Sequence, residues 1–414
     1  MAGVSRLAHL DRASLATYAD WAAVAVAVAL PWSTSAVGIA VAVWLVMLLP
    51  SLDGACVKRE LATAAGGLPV LLWCLGVIGM LWADVDWHDR FGGLNSFHRL
   101  LAIPLLLAQF RRSDNGIAIV WGFFISSITV LLASYLIIVV FGHEWRRVYG
   151  VPVHDTIFQG SEFLICGFGA IGYAASTWGR GARRWSVAVA AIGVLFLSNF
   201  AVATASRSAL VIAPGLLLLL GWRLYRWKGV LIAGMVGVMA GTVMWFASPV
   251  LRDRLERSLL EIKEYRTIDK PTSIGEHTAF LKESLPIIAS APILGHGTGS
   301  IAKEFAEITT GKTGTSARRT VNPHNQTFAV AIQLGLIGAL VLWAMWIAHI
   351  ALFSGRSVVA WLGLILVVEN ILSSTVHSHL FDFNSGWLYV FGVGALGGTI
   401  LRRRDSISKK TGFG

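Results

Sequence analysis

The sequence predicts an all-α polytopic membrane protein with about 12 transmembrane helices and one large helical loop on a single side. Of its 414 residues, 55% are hydrophobic and only 14% are charged, whereas a soluble domain carries about 25% charged residues. Uncharged apolar runs near or above the ~20 residues that cross a bilayer recur along the chain. One long polar stretch, residues 248–323, interrupts them.

The apolar runs divide the chain into three regions. Residues 1–247 are predicted to hold nine spans, residues 248–323 the loop with its amphipathic helices, and residues 324–414 three spans and a basic tail. The predicted spans lie at roughly 15–32, 35–51, 66–83, 97–110, 116–141, 156–178, 185–205, 208–225, 229–248, 324–353, 357–375 and 384–401.

The distribution of Lys and Arg predicts the orientation of these spans. With a cytoplasmic N-terminus, 18 cations fall in cytoplasmic segments and 5 in short loops on the opposite side. Because short cytoplasmic loops are enriched in cations, both termini are predicted to be cytoplasmic and the long loop external. The net charge of +11 is explained in this way. Nucleic-acid binding is disfavoured because the cations are scattered between apolar spans.

The long loop has its own helical pattern. Residues 250–265 carry apolar side chains at helical spacing among alternating charges, which predicts an interfacial helix. Residues 276–289 and 300–310 predict two further helices, and residues 292–299 a glycine-rich turn.

Arginines on the external side are candidates for binding an anionic substrate. Arg207 lies between two apolar spans with almost no loop, so it is a charge at or below the membrane surface that is costly unless paired or functional. Arginine also binds phosphate oxygens in a bidentate manner. Arg146 and Arg147 are further candidates, although contact with lipid headgroups would explain them as well.

His324 is a candidate general base at the external boundary. It follows Pro323, which fits the first turn of the span at 324–353. The positive end of the helix dipole disfavours imidazolium, and a neutral imidazole can deprotonate a hydroxyl. Asn325 could orient His324 or bind substrate. The alternative is a histidine with a polar capping role.

Three other polar groups admit different functions. Asp84 and Asp86 have the D-x-D spacing that some glycosyltransferases use to hold a metal with a diphosphate, although a solvated loop explains it as well. His377 and His379, with Asp382 nearby, could bind a metal. Two acidic residues within apolar spans, Glu162 and Glu369, could mark an ion path.

No nucleotide-binding fingerprint follows a strand in this sequence. The candidate groups face outward, where no nucleotide sugar is expected, so a glycosyl donor must bring its own activation. A lipid-linked diphosphate sugar does so, because arginines can stabilise the charge of the diphosphate as it leaves.

Three stretches resemble the bacterial O-antigen ligases and the related polymerases and O-linked oligosaccharyltransferases. The first is the Ser-Arg-Ser-Ala sequence at 206–209, similar to the family's S-R-x-A. The second is the glycine-rich turn from Pro292 to Gly299, and the third begins at His324-Asn325 and continues to Gly338.

The resemblance implies metal-independent glycosyl transfer without a cofactor, on a helical fold of the GT-C type in the bacterial inner membrane. Its donor would be a glycan on undecaprenyl diphosphate, and its acceptor a sugar hydroxyl of lipid A–core on the periplasmic side. His324 would deprotonate the acceptor, and Arg207 would bind the diphosphate. For the family's loop arginine, Arg266 is the match, with Arg318 and Arg319 as rivals. His277 stands where many relatives carry arginine.

Two alternatives stay open from the sequence. A polymerase or a protein-directed oligosaccharyltransferase would use the same donor chemistry with another acceptor. A transporter of lipid-linked glycan belongs to a different class, and it predicts inverted repeats with a site at the midplane. No such repeats are visible, and the polar residues collect at one face.

Overall fold

A computed structural model of the protein describes residues 11–141, 150–179, 181–203, 206–268 and 271–411. Within these ranges the chain forms α-helices and short 3-10 turns and no β-strand, which confirms the predicted all-α class. In chain order the α-helices are α1 (Arg12–Ala29), α2 (Thr34–Ser51), α3 (Gly54–Leu61), α4 (Ala64–Gly79), α5 (Trp87–His98), α6 (Ala102–Arg112), α7 (Gly116–Phe141), α8 (Thr156–Trp178), α9 (Arg183–Val202), α10 (Arg207–Ala247), α11 (Pro249–Ile268), α12 (Ser273–Ser290), α13 (Ile301–Ile308), α14 (Gln326–Leu352), α15 (Val358–Ser373) and α16 (Phe383–Thr411).

Several helices have the length and the surface of membrane spans. Six of the described helices are apolar and long enough to cross a bilayer, and a seventh span is possible if α3 and α4, which meet at 85°, count as one. Large apolar side chains stay exposed on them, including Val139 (80%) and Val238 (73%). Such faces need lipid rather than water around them, so the chain is integral to a membrane. The number of twelve spans stays a prediction.

Helix α10 is a hairpin of two antiparallel spans. Tyr225 and Arg226 have non-helical backbone angles, with φ +55° at Arg226. The backbones of Gly221 and Gly229 then pass so closely that a Cβ on Gly229 would lie 1.8 Å from the Gly221 carbonyl oxygen. The Ser248 hydroxyl also bonds to the carbonyl of Ala201, near the helix start. Both ends of the hairpin therefore lie on the side where α11 begins.

Helix α14 is broken at Gly335, which corrects the single apolar helix predicted over 324–353. Gly335 has φ +61° and ψ −159°, and a Cβ there would lie 2.2 Å from the Ile293 carbonyl oxygen. The glycine-rich turn at 292–299 fills the break and satisfies the freed backbone groups. Four backbone hydrogen bonds make this join: His296 N to Ile332 O, Gly297 N to Gln333 O, Leu336 N to Pro292 O, and Ile337 N to Ile293 O.

The long polar stretch forms helices, as its periodicity predicts. Helices α11, α12 and α13 occupy most of residues 249–308. A small apolar core built around Phe280, Ile287 and Phe305 packs against Ala329 and Ile332 of α14. Full burial of such side chains contributes about 1.5–3 kcal/mol each. The stretch is therefore packed onto the first half of α14.

Candidate active site

His324 lies in a tight turn just before α14. The helix begins at Gln326 and Asn325 caps it, so His324 is outside the helix rather than in its first turn. Its φ is +54°, in the left-handed region that non-glycine residues seldom adopt. The backbone N–H of His324 donates to Asn322 Oδ1 at 2.9 Å, and that oxygen also accepts the Ser378 hydroxyl at 2.7 Å. These two bonds hold the turn that carries the imidazole.

The His324 ring belongs to a cluster of imidazoles. It stacks on His277 of α12, with centroids 4.3 Å apart and planes at 21°. The ring of His377 meets both of them edge-on at 5.5 Å. Phe280, one turn after His277, lies parallel to His324 at 5.9 Å. The rings exclude water from one side of His324 and leave its Nδ1 buried without a hydrogen-bond partner among the described residues.

Burial keeps the imidazoles neutral at physiological pH. Desolvation, with a smaller contribution from His277, lowers the pKa of His324 from 6.5 to about 4, against the opposing carboxylate of Glu276. Desolvation, reinforced by the neighbouring histidines, also lowers the pKa of His377 to about 3. The sequence attributed the neutral form of His324 to the helix dipole, whereas in the structure burial and the neighbouring His277 lower its pKa.

Arg207 lies at the start of α10 and is held by Glu261 of α11. Nη1 of Arg207 donates to Oε2 of Glu261 at 2.7 Å, and Nη2 donates to Oε1. This bidentate pair uses one edge of the guanidinium and lowers the pKa of Glu261. The Nε of Arg207 is buried without a hydrogen-bond partner among the described residues.

Arg254 is a second cation of this site, which the sequence did not single out. It lies seven residues before Glu261, two turns along the same face of α11. Burial, and next the charge of Arg207, lower the pKa of Arg254, while the charge of Glu261 raises it. Its Nε also lacks a hydrogen-bond partner in the part of the chain that the structure describes. The charges of Arg207 and Arg254 thus both act on the carboxylate of Glu261.

The arginines and the imidazoles form one site. Glu261 Oε2 accepts the backbone N–H of Ile274 at 3.3 Å, which ties the arginine pair to the first turn of α12. His277 lies one turn further along that helix. Its pKa is lowered by burial and also by the charge of Arg207, against the charge of Glu276. The stack with His324 then completes the connection to the start of α14.

The other predicted site residues have different places. Asn325 caps α14, since its Oδ1 accepts the Phe328 N–H at 3.0 Å and its Nδ2 donates to Thr375 O at 3.1 Å. Its amide therefore holds the helix start rather than the imidazole. Arg318 pairs with Glu276 at 2.8 Å beside the imidazole cluster.

Two arginines of the prediction stand further from these contacts, and two lie outside the described residues. Arg319 is exposed next to Arg318. Arg266 is exposed near the end of α11, about 18 Å along the helix from Arg254, and the described contacts do not join it to Arg207 or His324. Arg146 and Arg147 lie outside the described residues.

The acidic motif weighed as a metal site has other partners, whereas both ring nitrogens of His379 lack a hydrogen-bond partner among the described residues. Asp84 bonds to Lys303, and Asp86 stands at the N-cap of α5. His379 is 2% exposed. Among the described residues, no group of three or more His, Cys, Asp or Glu side chains has the arrangement of a metal site. The two acidic residues of the apolar spans, Glu162 and Glu369, are buried on separate helices, α8 and α15.

The comparison with protein families decides the class of this site. Residues 192–343 match the family model described as O-antigen ligase. Over these residues the chain is similar to the O-antigen ligase family. The matched region runs from the middle of α9 into α14, so it contains Arg207, the whole polar stretch and His324. No curated protein matches the sequence.

The similarity to the O-antigen ligase family indicates the general chemistry of the site. It implies glycosyl transfer of the ligase or polymerase type on a lipid-linked glycan at a bilayer. The geometry agrees with that chemistry, because cations able to hold a diphosphate lie beside a neutral imidazole able to take a proton.

Proposed function

We propose that this protein is an O-antigen ligase that moves glycan from undecaprenyl diphosphate to a sugar hydroxyl of lipid A–core, at the periplasmic face of the inner membrane. The observation that carries the proposal is the link from Arg207 to His324 through Glu261 of α11 and His277 of α12. A lipid-linked diphosphate needs the cations, and a hydroxyl acceptor needs the base.

In the proposed reaction His324 takes the proton of the acceptor hydroxyl. The oxygen attacks the anomeric carbon of the donor, and the bond from that carbon to the diphosphate oxygen breaks. The electron pair of this bond stays on the diphosphate, whose negative charge Arg207 and Arg254 stabilise. A single displacement of this kind inverts the anomeric centre and uses neither metal nor cofactor.

Glu261 has a positioning role in this proposal. Its carboxylate holds the planar guanidinium of Arg207 by two bonds and leaves the outer N–H groups of the guanidinium for phosphate oxygens. With two arginines and one carboxylate, the local charge stays positive, which attracts an anionic donor. The exposed Arg318, Arg319 and Arg266 are proposed as further contacts for the phosphates or the glycan, as are Arg146 and Arg147.

The test is a reconstitution in EDTA with purified protein, glycan on undecaprenyl diphosphate, and lipid A–core. We expect a capped lipopolysaccharide, seen as a gel shift, and none with His324→Ala. The variant should keep its thermal transition in detergent, because the histidine is outside the helix. Activity restored only by added metal would contradict the metal-independent reaction. Transfer to glycan or protein, and not to lipid A–core, would favour the polymerase or the protein-directed enzyme.

A further inference from the structure

A polar cavity lies beside the candidate active site. It has a volume of about 500 Å³, within the ~300–1,000 Å³ of small-molecule sites. Helix α5, the turn that ends at Gly299, the start of α14 and the segment before α16 surround it. Its polar lining includes Asp89, Asn322, Ser378 and Asp382.

The cavity has the chemistry of a neutral polyol site. Its charged lining side chains are the carboxylates of Asp89 and Asp382, and no Lys or Arg occurs among the lining residues that the structure describes. Arg99 lies behind the wall and donates to the backbone carbonyls of Leu380 and Asp382. Carboxylates accept hydrogen bonds from sugar hydroxyls and repel phosphate.

The floor of the cavity is almost bare backbone. Gly92 lies in α5, and a Cβ there would meet no atom within 4 Å, so it would project into open space. Gly93 packs against Gly299, where a Cβ would lie 2.5 Å from the backbone nitrogen. Phe381 and Phe383 also line the cavity. A flat floor and aromatic walls suit the C–H faces of a pyranose ring.

One residue joins the cavity to the proposed base. Asn322 lines the cavity, and its Oδ1 accepts from both the backbone of His324 and the hydroxyl of Ser378. Its Nδ2 is not used by these bonds. Arg207, in contrast, is linked to the base through Glu261 of α11 and His277 of α12. The cation site and the cavity with its carboxylates are therefore linked to His324 through different parts of the chain.

We infer that this cavity binds the neutral acceptor sugar and presents its hydroxyl to His324, while the arginines bind the donor diphosphate. The inference rests on the proposed function, since it gives the acceptor of that reaction a place. Separation by charge lets two large substrates occupy the site together without competing for the same groups.

The experiment fills the cavity from its floor. Gly92→Leu places a side chain in open space on an exposed helix, and leucine is a better helix former than glycine. The matched control is Gly38→Leu in α2, also exposed and also without an atom within 4 Å of its Cβ. Asp89→Asn tests the carboxylate without changing its size. Each full-length protein is compared with the wild type in nanodiscs.

Two binding measurements and the kinetics separate the possible results. The probes are the oligosaccharide released from uncapped lipid A–core, and the glycan on undecaprenyl diphosphate. We expect Gly92→Leu to raise the Kd of the released oligosaccharide about tenfold or more, and Asp89→Asn to raise it about fivefold. The Kd of the donor should stay unchanged in both variants. In Gly38→Leu, the Kd of the oligosaccharide and that of the donor should both equal the wild-type values. The KM for lipid A–core should follow the oligosaccharide Kd.

Other outcomes overturn the inference. Unchanged oligosaccharide binding in Gly92→Leu would remove the cavity as its site. A loss confined to the donor would assign the cavity to the donor glycan. If the wild type bound no oligosaccharide, the inference would fail as well. A wild type without transfer activity whose oligosaccharide binding is nevertheless lost in Gly92→Leu would contradict the proposed function and leave the sugar cavity standing.

Discussion

The imidazoles of His277 and His324 lie face to face, 4.3 Å apart. One ring comes from the second helix of the polar stretch and the other from the turn that precedes a membrane helix. At this distance a charge on either ring disfavours a charge on the other. The stack therefore supports burial in keeping His324 neutral, and residue 277 becomes a means of adjusting the proposed base.

A negative charge at position 277 should raise the pKa of His324. In His277→Glu the carboxylate would favour imidazolium at His324 and raise its pKa by about one or more. The pH below which kcat/KM falls should move upward, because a protonated base cannot accept the hydroxyl proton. The comparator is His277→Gln, which is polar and uncharged. Superimposable pH profiles for the two variants would argue that His324 is not the base.

The buried imidazole should also make stability depend on pH. Folded His324 stays neutral until about pH 4, whereas the unfolded chain takes up a proton near 6.5. The unfolded state therefore binds more protons between these values. The contribution is complete above pH 6.5 and is lost as the pH falls toward 4. His324→Gln should have a shallower fall of Tm over this range, without abolishing it, since His377 acts in the same direction. An equally steep fall of Tm with pH in the wild type and in His324→Gln would count against a buried, neutral His324.

Replacing the planar guanidinium of Arg207 by an ammonium group should impair transfer. Arg207→Lys keeps the charge but cannot donate to Glu261 and to phosphate with the same planar geometry. We expect kcat/KM to fall by about 100-fold, in the range of a lost electrostatic stabiliser. Arg257→Lys on α11 is the matched control, because Arg257 is exposed and pairs only locally with Asp253. Similar small losses in both variants would indicate a structural arginine.

The two candidate loop arginines can be compared directly. Arg254→Gln removes the cation beside Arg207 and Glu261, whereas Arg266→Gln removes an exposed one near the helix end. We expect the first variant to raise the donor Kd by about tenfold or more and the second to raise it less. The measurement is binding of the undecaprenyl-diphosphate glycan at fixed ionic strength. The reverse order would restore Arg266 as the main loop arginine.

Gly335→Ala should destabilise the protein. Alanine would have to adopt φ +61° with its Cβ against the Ile293 carbonyl, and strain of this kind costs about 1–3 kcal/mol. Gly241→Ala in α10, where a Cβ meets no atom within 4 Å, is the control. A thermal melt in detergent should show a lower Tm for Gly335→Ala alone. If the two variants have the same Tm, the break in α14 is not required for stability.

The sequence predicted the helices well where the pattern is local. The two spans on either side of residues 225–226 follow from hydropathy alone, and the three helices of the polar stretch follow from the periodicity of their apolar residues. The break at Gly335 lies within an uninterrupted apolar run, so hydropathy cannot reveal it. Only the turn at 292–299, distant in sequence, explains it.

The sequence singles out only some residues of the candidate site, for the same reason. His324 and Arg207 stand out locally, because each is a polar group at the edge of an apolar run. Arg254 is one of four arginines on α11, and nothing local separates it from Arg266. The choice depends on which face of α11 meets the start of α10. The role of His277 likewise depends on how α12 packs against the turn before α14.

The join between the turn at 292–299 and the break in α14 limits how such proteins can be recombined. Four backbone hydrogen bonds cross between an extramembrane turn and a helix of the bilayer region, so neither half is a self-contained module. A chimaera that exchanges only the polar stretch would leave unpaired amides and carbonyls on both sides of Gly335. Exchange of acceptor preference between relatives should therefore require the polar stretch and the first half of α14 to be transplanted together.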